Sequence, residues 1–187
     1  MFRAIAACAA GLVLTANVAL AGPLGQDERK DFQVAKDIAT AVQRYSQFTI
    51  FDDVGANVRD GVVTLTGKVT MPYKRSDLEK RIAKVDGVRS VDDQISVLPV
   101  SQFDDELRYR IARSIYNNSS FWNYAIMPNP PIHIVVEHGR VTLTGVVNSE
   151  VDRMLARALA SQFNAFSVTI ELKTDAEMRE ALEKSDE

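Results

Sequence analysis

The sequence predicts an α+β fold of two tandem αββαβ units, each a small three-stranded sheet packed by two helices. Three observations predict it. Residues 54–69, VGANVRDGVVTLTGKV, are written again at 132–147 as IHIVVEHGRVTLTGVV, at a constant offset of 78 positions. A repeat of this kind decides the architecture before any single residue does. An apolar stripe with helical spacing precedes each copy, and within each copy a two-residue turn separates two alternating runs.

The first stripe is Val34, Ile38 and Val42, with Ala35 and Ala41 beside it, and predicts a helix from Phe32 to about Tyr45. Leu107, Ile111 and Ile115 repeat it at an offset of 73. The two offsets differ by five residues, and Met127-Pro128-Asn129-Pro130-Pro131 supply them, a run unable to be helix and poorly suited to a central strand. In the hairpin, Val54, Ala56 and Val58 alternate, as do Val63, Leu65, Gly67 and Val69. Asp60-Gly61 between them tolerates the positive φ angles of a tight type I′ turn, and His138-Gly139 takes its place in the second copy. Thr64, Thr66, Thr142 and Thr144 fall on the opposite, water-tolerant face. Gly67 and Gly145 lie inside strands, where glycine marks a bulge or close backbone approach.

Thr70 and Asn148 are matching N-cap candidates for a second helix, and Pro72 sits early enough in it to be tolerated. Its buried stripe reads Leu78, Ile82 and Val85 in the first copy, and Val151, Leu155, Leu159 and Phe163 in the second. The closing strands are expected near Val91–Leu98, after Gly87-Val88, and near Phe166–Leu172. The domains are therefore placed at 28–98 and 104–173, joined by 99–103, a linker so short that they should touch. In the tail, 174–187, Thr174-Asp175-Ala176-Glu177 reads as a capping box opening a final short helix.

Residues 1–21 read as a cleaved secretory signal peptide: Arg3 first, an apolar run from Ala4 to Leu20, then the small-residue site Ala19-Leu20-Ala21. Cys8, the only cysteine, lies inside it, so the mature chain offers neither a disulfide nor a thiol nucleophile. A lipoprotein start at Cys8 would leave almost no apolar run before the cysteine. Residues 27–98 carry 12 basic and 12 acidic side chains, residues 104–173 carry 7 and 7, and the tail carries 2 and 6. Two neutral domains with an acidic tail lack the basic face a nucleic-acid binder needs.

The letters Ala56, Val58, Gly61, Val63, Leu65, Gly67 and Val69, followed by Gly87, Val88, Val91, Ile95 and Val97, resemble the BON domain. The resemblance covers nearly all of residues 30–173, and Ala165 departs from it at the second copy's glycine position. Double-BON chains with a signal peptide are similar to the osmotically inducible periplasmic protein Y group. The resemblance implies a non-catalytic periplasmic envelope protein that binds anionic phospholipid surfaces or assists envelope protein clients, with no cofactor.

The residues themselves offer no catalytic motif. His133 should point to the sheet's outer face and His138 sits in a turn, a poor metal pair. Asp52-Asp53 and Asp92-Asp93 read as solvated turns. Contact with lipid or a partner is assigned to Phe121, Trp122 and Tyr124 together with Arg110 and Arg113 on the preceding helix. Trp122 suits a membrane interface, or else folds over the proline insert as a satellite core. The basic side chains at Lys74, Arg75, Lys80, Arg81, Lys84 and Arg108 can face phosphates, or make up ordinary solvated helix faces. Export should yield a mature protein beginning at Gly22, which the intact mass of the periplasmic form checks; a retained N-terminus or a lipid mass on Cys8 contradicts it.

Overall fold

The computed structural model describes the backbone of residues 26–185 and the side chains of residues 30–180. The proposed signal peptide lies outside the described residues. Helix α1 (Gln26–Gln43) begins well before Phe32 and buries Val34 and Ile38. Strands β1 (Asp53–Arg59) and β2 (Val62–Val69) form the first hairpin. Helix α2 (Pro72–Ile82) then crosses back to β3 (Ser90–Asp93) and β4 (Ser96–Val97), both parallel to β2. These two occupy one strand position, interrupted where Ile95 turns into the core.

The second unit repeats the order with additions. Helix α3 (Gln102–Tyr116) is followed by a 3-10 turn (Ser119–Phe121) and the short α4 (Trp122–Ala125). Strands β5 (Ile132–Glu137) and β6 (Arg140–Val147) pair antiparallel, and after α5 (Glu150–Ala160) strand β7 (Ser167–Thr174) joins β6 in parallel. Helix α6 (Asp175–Ser185) closes the chain with the expected capping box: Thr174 N–H donates to Glu177 Oε2 (2.8 Å) and Glu177 N–H to Thr174 Oγ1 (3.2 Å). Each unit has its own core, one around Leu65, Leu78 and Ile82, the other around Ile111, Phe121 and Leu143.

Both turns adopt the positive φ that their sequences allow, 52° and 74° at Asp60-Gly61 and 51° and 73° at His138-Gly139. Each is clamped by a carboxylate from the first helix of its own unit. Asp31 accepts from the N–H groups of Asp60 and Gly61, at 2.6 and 3.0 Å, and Asp104 from those of His138 and Gly139, at 2.9 and 2.8 Å. At Gly145 the backbone approach is so close that an added Cβ would lie 1.8 Å from the Pro131 carbonyl oxygen.

Four local expectations are corrected. The N-caps fall one residue later than proposed, at Met71 and Ser149, and only Ser149 accepts a helical N–H, that of Asp152. Val151 is exposed, because α5 turns Ala156 and Ala160 to the sheet and lets the backbone approach. Thr144 is buried rather than water-facing, since the outer face of β5 and β6 carries the first domain. Asp52 is no solvated turn. It is fully buried, accepts from the N–H and hydroxyl of both Thr49 and Thr70, and pairs with Lys74 Nζ at 2.6 Å. Thr70, freed from capping, serves this cluster.

The two domains touch as the short linker requires. Ile134 N–H donates to the Ile50 carbonyl at 2.7 Å, so the segment before β1 covers the free edge of β5. His133 Nδ1 lies 2.6 Å from the Asp52 carbonyl oxygen, its ring is 5.5 Å from that of Phe48, and Lys68 pairs with Glu137.

Burial pushes the Asp52 carboxyl upward, but Lys74 and the Thr49 and Thr70 donors outweigh it and hold it below the ordinary carboxylate range. A lowered folded-state pKa gives stability that is complete above about pH 4 and lost as pH falls through the lower folded value. Asp52→Asn should therefore cost about 3–5 kcal/mol at neutral pH by stranding Lys74. In urea melts from neutral to acid pH, the gap to the native protein should narrow below about pH 4.

Candidate functional site

Helix α3 starts at Ser101, whose side chain accepts from Asp104 N–H, and exposes one face along its length. On that face Tyr109, Arg110 and Arg113 recur at helical spacing. With Glu106, Ser114 and Phe163 they line an open depression of about 590 Å³. Arg110 pairs with Glu106, while Arg113 has no ion-pair partner among the described residues. Tyr109 packs edge-on to Phe51 of the first domain with ring centroids 5.2 Å apart. Arg108 lies on the other side of the helix, almost wholly buried. It donates to the Val136 carbonyl and pairs with Asp105, so it holds the fold and faces no lipid.

Beyond α3, Asn118 accepts from Ser120 N–H and the chain tightens into the 3-10 turn and α4. This geometry separates the aromatic cluster into two sides. Phe121 and Tyr124 point inward and are core, which corrects their assignment as contact residues. Tyr124 is anchored at its tip, where its hydroxyl donates to Asp152 at 2.8 Å and accepts from Asn148 N–H at 2.7 Å. Burial pushes its phenol up to about 12; the Asn148 amide opposes the shift and Asp152 reinforces it. Trp122 and Ile126, one helical turn apart, point outward with 65% and 63% exposure, and Met127 follows at 44%. Together they form an apolar surface patch held in place by the two buried rings.

The structure thus brings Arg110 and Arg113 into one depression and leaves Trp122 outside its lining, on a separate exposed patch. It also adds Tyr109, which sequence reasoning passed over, and Phe163, which it assigned to a buried helix stripe. The spacing of Tyr109, Arg110 and Arg113 on one helical face was the signal available for Tyr109. The basic run of α2 is mostly structural. Lys74 is buried on Asp52, Arg75 binds Asp93 at 2.7 Å, and Arg81 stacks over the Tyr45 ring at 5.1 Å. Lys80 and Lys84 remain exposed. Among the described residues no group of three or more His, Cys, Asp or Glu side chains is placed to hold a metal ion. None of their helices is long and apolar enough to cross a membrane.

The two sides of α4 should respond differently to truncation, as thermal and urea melts will show. Trp122→Ala should change stability by no more than about 0.5 kcal/mol, because its ring faces water. Phe121→Ala should cost about 3–5 kcal/mol, and Tyr124→Phe about 1–3 kcal/mol by leaving Asn148 N–H without its acceptor.

The BON domain family model matches residues 30–99 and again residues 104–167. No curated protein matches. Among solved structures, the chain is similar to the C-terminal domain of CdsD, the structural protein of the Type III secretion system of Chlamydia trachomatis. Identity is 19%, 79% of this chain and 69% of that one are covered, and the TM-score is 0.33. A second CdsD structure gives 14% identity, 81% and 97% coverage, and a TM-score of 0.29.

Proposed function

The chain belongs to the BON domain family, and we propose that it is a non-catalytic periplasmic protein that attaches to anionic phospholipid surfaces through its second domain. Phospholipid binding and association with the cell envelope characterise the family, which is non-catalytic in general. The observation that carries the reading is the exposed Trp122–Ile126–Met127 patch, in the same unit as the depression lined by Arg110 and Arg113. An indole ring satisfies both phases of a membrane interface, and each arginine near an anionic surface contributes about 1 kcal/mol. Both domains are neutral overall, so attraction must come from a local cluster rather than from net charge. Arg113 should contribute more than Arg110, whose charge Glu106 already offsets.

A second reading, a protein-binding assembly factor, draws on β7. Among the described residues that strand pairs only with β6, so its other edge could take an extended client segment.

Co-sedimentation with liposomes separates the two. Binding should require anionic lipid and weaken with salt, because charges are screened beyond about 8–10 Å at physiological ionic strength. A tryptophan ring buries roughly 150–250 Å², so partial immersion at about 25 cal/mol per Å² contributes about 1–2 kcal/mol. Trp122→Ala should therefore weaken binding about 5- to 30-fold. Arg113→Glu should add to the loss. Suppression of client aggregation with no liposome binding would favour the second reading.

A further inference from the structure

The two units treat the outer edges of their hairpins differently. In an antiparallel pair, alternate residues bond to the partner strand, and those between turn their N–H and C=O groups outward. On β5 the outward residues are Ile132, Ile134 and Val136, and each has a group taken. Tyr116 Oη donates to the Ile132 carbonyl, Arg108 to the Val136 carbonyl, and Ile134 N–H donates to the Ile50 carbonyl. The residues 78 positions earlier are Val54, Ala56 and Val58 of β1. Among the described residues their outward groups bond to nothing, and β1 pairs with β2 alone. The cause is visible on α1. At the helix offset of 73, Arg108 and Tyr116 become Ala35 and Gln43, and neither donates to β1. The first unit thus has a bare edge where the second has a sealed one. Val54–Val58 also carries no charge and no proline, the usual devices against strand addition.

An open cleft of about 610 Å³ runs beside this edge, and Ala35 and Gln43 line it. Its floor belongs to the first core, through Ile38, Val42 and Val54. Its far side is Pro128 and Pro131 of the insert, which Asn129 ties to α1 by donating to the Gln43 carbonyl at 3.0 Å. With the insert opposite, a cleft of this size has room for one extended chain and not for the sheet of a second copy. Asp53 is the only lining side chain with a fixed charge, so the cleft favours a basic over an acidic occupant. We infer that β1 takes an extended segment of a partner protein as an added strand, apolar at alternate positions and basic where it passes Asp53. Main-chain bonds to Val54, Ala56 and Val58 would hold it, and its apolar side chains would extend the first core. The site lies on the first domain, apart from the Trp122 patch and from the β7 edge.

The probe is a fluorescein-labelled synthetic peptide, acetyl-KVSVSVK-amide, titrated into the mature chain and followed by anisotropy and amide NMR shifts. Its alternate valines suit the apolar floor, and a lysine at each end meets Asp53 in either strand direction. Binding should saturate, with the largest shifts at Val54, Ala56 and Val58. The acidic analogue acetyl-EVSVSVE-amide should bind about tenfold more weakly or worse. Ala56→Pro removes an outward N–H that β2 does not use, so it should keep the native melting curve and weaken the peptide about tenfold or more. Ala35→Arg installs the second unit's plug and should do the same. Trp122→Ala should bind the peptide as the native chain does while losing liposomes, so failure of this inference and failure of the surface reading are distinguishable. No saturable binding, shifts centred on β7, or native-like binding by both folded edge variants would overturn the inference. So would equal binding of the acidic peptide, or pairing of two copies through β1, which would give the edge to a second chain.

Discussion

Asp52 joins four parts of this protein, three through its carboxylate and one through its backbone carbonyl. The carboxylate gathers the Thr49 loop, the end of β2 at Thr70 and helix α2 at Lys74, while the backbone carbonyl meets His133 of the second domain. A buried carboxylate without partners would be intolerable in the interior. With five donors on its two oxygens it becomes a fixed point. Lys74 is held by the same logic, since an ammonium group so deeply buried requires its counter-charge. The Asp52 backbone carbonyl is one of several contacts with the second domain, beside Ile50–Ile134, Lys68–Glu137 and Phe51–Tyr109.

The second unit solves the same local problem without an acid at that place. Asn148 aligns with Thr70, and its N–H is accepted by the Tyr124 hydroxyl instead of by a carboxylate. The tyrosine reaches there only because α4 is present, and α4 is also what turns Trp122 outward. A substitution in the fold's internal bonding has thus produced a surface feature the first unit lacks. Other devices are conserved between the copies. The clamp of Asp31 on one turn and Asp104 on the other fixes hairpin to helix in both units.

Much of this was legible in the sequence because periodicity and turn chemistry are local. The repeat, the hairpins, the positive φ angles and the capping box at Thr174 depend on residues a few positions apart. Asp52 was not legible: an Asp-Asp pair before a strand resembles a solvated turn, and beside the nearby Thr49 its donors Thr70 and Lys74 lie 18 and 22 positions away. The same holds for Arg108 and Lys74, indistinguishable by composition from their exposed neighbours. Of the aromatic run, spacing identified the cluster but not its facing. A 3-10 turn passing into a one-turn helix decides which rings go in, and such short elements leave no periodic trace. The insert was found by arithmetic between two offsets, yet its role as a cavity wall required the first domain opposite it.

The proposed attachment turns on which face would meet a membrane. Paramagnetic relaxation measured by NMR, with a spin-labelled lipid in anionic vesicles, tests it most directly. Signals of Trp122, Ile126 and Arg113 should broaden first, with those of Lys80 on α2 and Lys84 just beyond it unaffected. Broadening centred on α2, or spread evenly over both domains, would contradict a membrane-facing second domain.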